Sequence, residues 1–109
     1  MDEHEPVYAI AIAARLSRMH PQTLRKYERA GLIRPARQSG NQRLYSSADV
    51  TRLRRIRYLV EERGLNVAGI EMTLSMVDRL DRIDPAASAE ELRSIIDGVV
   101  RLSEDRRAP

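Results

Sequence analysis

The chain of 109 residues has no cysteine, no phenylalanine and no tryptophan. Without cysteine there can be no disulfide, thiolate metal site, redox switch or cysteine nucleophile. Four tyrosines are the only aromatics, so the core is expected to be aliphatic and modest. A chain this small buries a limited fraction of its surface, and a partner chain would help it. Long apolar runs are also missing. The run that contains Tyr8 to Ala14 is too short to span a bilayer or to form the core of an export signal. The expected setting is therefore the cytoplasm, with no membrane contact. Hydrophobic residues at 42% and charged residues at 32% exclude a disordered tail.

What is present is charge, and it is segregated. The net charge of +3 conceals a basic block and an acidic one. Ile12 to Tyr58 holds 12 basic residues against two acids, Glu28 and Asp49, whereas Glu61 to Pro109 holds seven arginines against 11 acids. A GC-rich genome would explain why 18 of the 19 basic residues are arginine, but not their segregation. The pattern points to a polyanion-binding first half and a second half with another task.

Residues 1–6 are acidic and expected to be disordered, and His4 there is a frayed-end residue rather than a metal ligand. Residues 7–81 carry the folded pattern. A short apolar helix is expected over Ala11 to Arg18, then a turn, then a second helix from Pro21 to Gly31. Proline is favoured in a helix's first turn, and glycine provides the left-handed stop. Leu32 to Tyr45 contains Pro35, Gly40 and Asn41, and reads as a hairpin turning at Ser39-Gly40-Asn41. Ser46 and Asp49 form a capping box. It opens a helix with Val50, Leu53, Ile56 and Val60 on one face, ending at Gly64. Asn66 caps a fourth helix with Val67, Ile70, Leu74, Val77 and Leu80 at intervals of three and four. Residues 82–87 contain Pro85 and read as a linker. A second capping box at Ser88 opens a last helix over 88–105, whose Leu92, Ile95, Ile96, Val99 and Leu102 form a seam suited to dimerisation.

This order predicts a mainly α fold: a winged helix-turn-helix of four helices and a short β-hairpin wing, followed by a dimerisation helix. The run His20-Pro21-Gln22-Thr23-Leu24-Arg25-Lys26-Tyr27-Glu28-Arg29-Ala30-Gly31-Leu32-Ile33, followed by Pro35, Arg43-Leu44-Tyr45 and Asp49-Val50, resembles the MerR family of transcriptional regulators from Tyr8 to about Leu80. The H-P-Q-T-L-R start of the second helix and Gly64 to Ile70 are similar to the HspR branch, repressors of bacterial heat-shock chaperone genes. That resemblance implies a homodimer on an inverted-repeat operator in double-stranded DNA, with a DnaK-type chaperone as co-repressor and a nucleoid-associated location.

The candidate DNA-binding residues are His20, Gln22, Thr23, Arg25, Lys26, Tyr27, Arg37 and Arg43. Arg25 offers a planar guanidinium to a phosphate or a guanine edge. Gln22 and Lys26, four apart, share a helix face that can enter the major groove. His20 and Thr23 lie at the helix N-terminus, where free amides favour phosphate. The resemblance implies that the Tyr27 hydroxyl reaches a DNA backbone oxygen, against the alternative of a core aromatic. Arg43 would reach flanking phosphates with help from Arg37 more than Arg34, while Tyr45 packs beneath the wing. Any one of Arg52, Arg54, Arg55 and Arg57 reads better as solvated surface than as a phosphate contact.

Departures from the family pattern narrow the reading. Metal-sensing relatives use cysteines, absent here, and drug-binding relatives carry a large C-terminal domain where this chain has 22 residues after the linker. Arg18 stands at a turn position where the family often has glycine. The alternatives are a MerR-type activator or developmental regulator, or a protein-interaction module without specific DNA binding. No paired carboxylates, metal cluster or nucleophile–base set suggests an enzyme, and no cofactor is implied.

Overall fold

A short strand, two short helices, two further strands and two longer helices follow one another along the chain, and the three strands form one antiparallel sheet. They are seen in a computed structural model that describes residues 2–83 together with Ser94, Asp97, Gly98 and Arg101. The elements are β1 (Tyr8–Ala9), α1 (Ile10–Ser17), α2 (Pro21–Arg29), β2 (Ala36–Arg37), β3 (Arg43–Tyr45), α3 (Ser47–Glu61) and α4 (Val67–Ile83). The chain divides into two compact units, Met1–Gly64 and Leu65–Pro109. This is the expected mainly α, winged helix-turn-helix architecture.

In the first unit, small residues let the helices approach. Ala13, Ala14 and Ser17 are buried on α1, which packs on both α2 and α3. The buried Ser17 hydroxyl is satisfied by donating to the Ala13 carbonyl at 2.8 Å. Around this seam lie Leu24, Leu32, Ile33, Val50, Leu53, Ile56 and Leu59, all buried. The core is mostly aliphatic, as expected, but Tyr27 and Tyr45 are also inside it. On α3 the residue that closes the buried stripe is Leu59, while Val60 is half-buried.

Both turns around α2 rest on left-handed residues. Arg18 takes φ 58° after α1, and its N–H bonds back to that helix's last carbonyls. An arginine thus occupies a backbone position that favours glycine. Gly31 takes φ 79° after α2. The Ser46 capping box is complete: its hydroxyl accepts from the Asp49 N–H at 3.0 Å and its own N–H donates to Asp49 Oδ2 at 2.9 Å.

Three boundaries differ from expectation. Residues 2–5 are not a frayed end: the Glu3 carbonyl accepts from the Ala48 N–H at 2.9 Å and from the Ser47 hydroxyl at 3.2 Å. Next to them β1 pairs with β3, Tyr8 opposite Tyr45 and Ala9 opposite Leu44, so the wing is the edge of a sheet that includes the N-terminal strand. Residues 82 and 83, expected in the linker, close α4.

In the second unit, Asn66 caps α4 by accepting from the Gly69 N–H at 2.9 Å. Ile70, Leu74 and Val77 are buried with Thr73, whereas Val67 is exposed. No helix among the described residues is long and apolar enough to cross a membrane. The proposed dimerisation residues Leu92, Ile95, Ile96, Val99 and Leu102 lie outside the described residues. Of their neighbours in sequence, Ser94, Asp97, Gly98 and Arg101 are described, and these are helical.

Candidate nucleic-acid interface

Helix α2 is buried along Leu24 and Tyr27, which turns Gln22, Lys26 and Arg29 to solvent, with Arg25 half-buried at the flank of that stripe. The spacing of four and then three keeps Gln22, Lys26 and Arg29 on one face. The side chains of Arg25, Lys26 and Arg29 have no hydrogen bond or ion pair among the described residues. Two of them were expected from the sequence. Arg29 was not, although counting three on from Lys26 would have found it.

The N-terminus of α2 is finished by His20. Its Nδ1 accepts the Gln22 N–H at 3.0 Å, so the acceptor nitrogen carries no proton and Nε2 is left as a donor. The side chain is exposed. His20, Thr23 and Tyr27 line one concavity of about 270 Å³ together with Arg18, Arg57 and Glu61. Arg57 and Glu61 pair across a helical turn at 2.9 Å. Three of the predicted residues thus meet in one place.

Tyr27 is buried, which suits the core-aromatic alternative more than a reaching hydroxyl. Burial raises its pKa above the usual tyrosine value, and the charge of Glu61 adds to that. Tyr45 is fully buried beneath the wing, as expected. Its pKa is likewise raised, first by burial and then by the charge of Glu28.

The wing cations are placed differently from those of α2. Arg37 stands directly opposite Arg43 in the β2–β3 ladder. Both donate to one carboxylate on α2: Arg43 Nε to Glu28 Oε2 and Arg37 through a terminal nitrogen to Glu28 Oε1. Arg37 also donates to the Asn41 carbonyl at 2.9 Å, in a tip where Gly40 and Asn41 both take positive φ. Burial pushes the Glu28 carboxyl up, but the bond and charge of Arg43, then those of Arg37, outweigh it and hold it below the usual carboxylate range. Sequence reasoning counted Glu28 and gave it no task. Its only signal was being one of two acids in a block of 12 bases.

Two arginines of α3 are structural in the same sense. Arg52 donates to the Leu32 carbonyl at 2.7 Å and Arg54 to the Leu16 carbonyl at 3.1 Å, each joining α3 to a distant segment. Among the described residues no group of three or more His, Cys, Asp or Glu could hold a metal ion.

An exposed polar helix after a tight turn, with a basic wing behind it, defines a winged helix-turn-helix DNA-binding regulator. The profile described as MerR HTH family regulatory protein matches residues 8–77, and the chain belongs to that family of transcription regulators. A candidate heat-shock protein HspR of Streptomyces coelicolor is 39% identical over 108 residues, 99% of this chain and 70% of that protein. The HTH-type transcriptional regulator GlnR of Bacillus cereus is 39% identical over 71 residues, 65% of this chain and 54% of its own length. Among solved structures, the transcription regulator PbrR691 of Ralstonia metallidurans, in complex with lead(II), superposes with a TM-score of 0.63 at 26% identity. That likeness covers 93% of this chain and 75% of the other. These relatives are regulators rather than enzymes.

Proposed function

We propose that this MerR-family regulator is a cytoplasmic, homodimeric repressor of chaperone operons that binds an inverted-repeat operator and uses a DnaK-type chaperone as co-repressor. The observation that carries this reading is the extent of the HspR likeness. It runs over 99% of the chain, whereas that to GlnR stops at 65%. A likeness confined to residues 8–77 would speak for DNA binding alone.

In this reading α2 enters the major groove, presenting Gln22, Lys26 and Arg25 to base edges. His20 Nε2–H faces a phosphate, where the helix dipole favours an anion; the first amides of α2 are already used, since Pro21 has none, Gln22 donates to His20 Nδ1 and Thr23 and Leu24 donate to the His20 carbonyl. Thr23 and Tyr27 border the same phosphate site. Arg37 and Arg43 each keep N–H groups beyond those given to Glu28, and these meet the flanking backbone. An inverted repeat requires two such helices about one DNA turn, ~34 Å, apart, which the seam of Leu92, Ile95, Ile96, Val99 and Leu102 would provide.

A gel-shift titration on a chaperone-operon promoter tests the proposal. The purified chain should shift the duplex, and added DnaK-type chaperone should strengthen the complex. No effect of chaperone, or release of the DNA, would contradict the co-repressor role. A footprint overlapping the promoter is expected of a repressor; one lying outside it would favour an activator. The dimer is tested by placing Asp at both Ile95 and Val99 and measuring mass by analytical ultracentrifugation. Monomers with weak, non-specific DNA binding are expected, and a surviving tight dimer would move the interface elsewhere.

A further inference from the structure

The wing poses a problem that Glu28 resolves. Like charges directly opposite in an antiparallel pair are destabilising, and Arg37 and Arg43 stand directly opposite. The hairpin they occupy is short, two residues facing three, and both residues of β2 are exposed. Such a hairpin is marginal by itself. Its side-chain link to α2 is the carboxylate of Glu28, whose side chain is only 16% exposed and receives a guanidinium on each oxygen. Charge-assisted bonds of this kind fix orientation as well as distance.

We infer that Glu28 is the positioning residue of the wing: by holding Arg37 and Arg43 together against α2 it sets the wing's register on DNA and trades non-specific affinity for operator discrimination. The inference rests on the DNA-binding reading above. One carboxylate between two guanidiniums leaves a surplus of one positive charge, so the wing still attracts phosphate. The bonds to Glu28 commit part of each arginine's donor set, so the pair cannot seek phosphates independently of α2. Without Glu28 two free guanidiniums would grip any duplex more tightly, yet nothing would align them with the groove that α2 reads. Contacts to phosphate position a protein, whereas contacts to bases specify. A residue that aligns the two should alter their ratio.

The test is Glu28→Gln, which keeps the side chain's shape and removes its charge. Binding is read by fluorescence anisotropy over a range of salt. The probes are an operator duplex selected from random sequence with the wild-type chain and a shuffled duplex of the same composition. For the shuffled duplex, binding should tighten about three- to tenfold at low salt, and log K against log salt should steepen by about one unit. Binding to the operator should weaken, so that the ratio falls at least about tenfold. Unchanged binding, or equal loss on both duplexes together with a lower melting temperature, would make Glu28 a strut only and overturn the inference. Should Glu28→Gln fail to fold, Arg37→Gln loosens the same link from the other side. It should lower operator binding more than shuffled-duplex binding, and an equal loss on both would be contrary. A wild-type chain that binds no duplex overturns the functional reading itself, and this is seen before any substitution is made.

Discussion

Helix α2 and the wing carry cations of the same chemical kind in opposite circumstances. Arg25, Lys26 and Arg29 have no partner among the described residues, whereas Arg37 and Arg43 share Glu28. On α2, burying Leu24 and Tyr27 fixes the helix, so its exposed face is free to be chosen for a ligand. Strand β2 buries neither of its residues, so part of the wing's own charge is spent on holding it in place. A rigid element can offer unpaired cations. A weak one has to tie them down.

The largest effect expected from breaking this contrast is at Arg25. Arg25→Ala should cost about 1–3 kcal/mol of operator binding, while a surface change of this kind leaves stability within about 0.5 kcal/mol. Anisotropy and thermal melting of the same preparation separate the two. Arg43→Ala should be smaller on DNA and visible in both measurements. The salt slope should fall by about one unit on every duplex, and stability should fall by about 1 kcal/mol because Glu28 loses a charged partner. If Arg43→Ala binds and melts like the wild type, the wing has been misassigned.

The smallest effect is the pH response of the Glu28 pair. Its carboxyl is held below the usual range in the folded chain. The pair's stabilisation is therefore present above the unfolded carboxylate value of about 4.3 and is lost as pH falls through the folded value. Glu28→Gln should flatten the acid limb of the melting profile and leave the neutral region parallel to wild type. An acid limb identical in the two proteins would count against the clamp.

Much of this was legible in the sequence, for reasons that can be named. Pro21 and Gly31 bracket α2 because their backbone preferences are local, and the Ser46–Asp49 box is a contact three residues long. The Gln22–Lys26 face follows from helical geometry alone. What escaped was non-local. Strand β1 is two residues long, too short for an alternation to register, and it exists because β3 offers an edge. The Glu3 contacts with Ser47 and Ala48 join positions more than 40 residues apart. Glu28 lies 9 residues from Arg37 and 15 from Arg43, a pairing that only the fold creates. Both acids of the basic block are structural: Asp49 closes a helix cap and Glu28 holds the wing. Read as net charge, they had been subtracted from the block rather than assigned.

The central claim, that α2 offers free cations to DNA while Arg43 meets it only with the N–H groups that Glu28 leaves, is tested most directly by arginine side-chain NMR. The Nε–H signals of Arg25, Arg29 and Arg43 in the ¹⁵N-labelled chain are followed as operator duplex is added. The signals of Arg25 and Arg29 should move, and that of Arg43 should stay near its starting position and remain slow to exchange with water, because Glu28 still holds it. If Arg43 moves and exchanges freely while Arg25 and Arg29 remain where they were, DNA binding opens the clamp and bypasses α2, and the account is wrong.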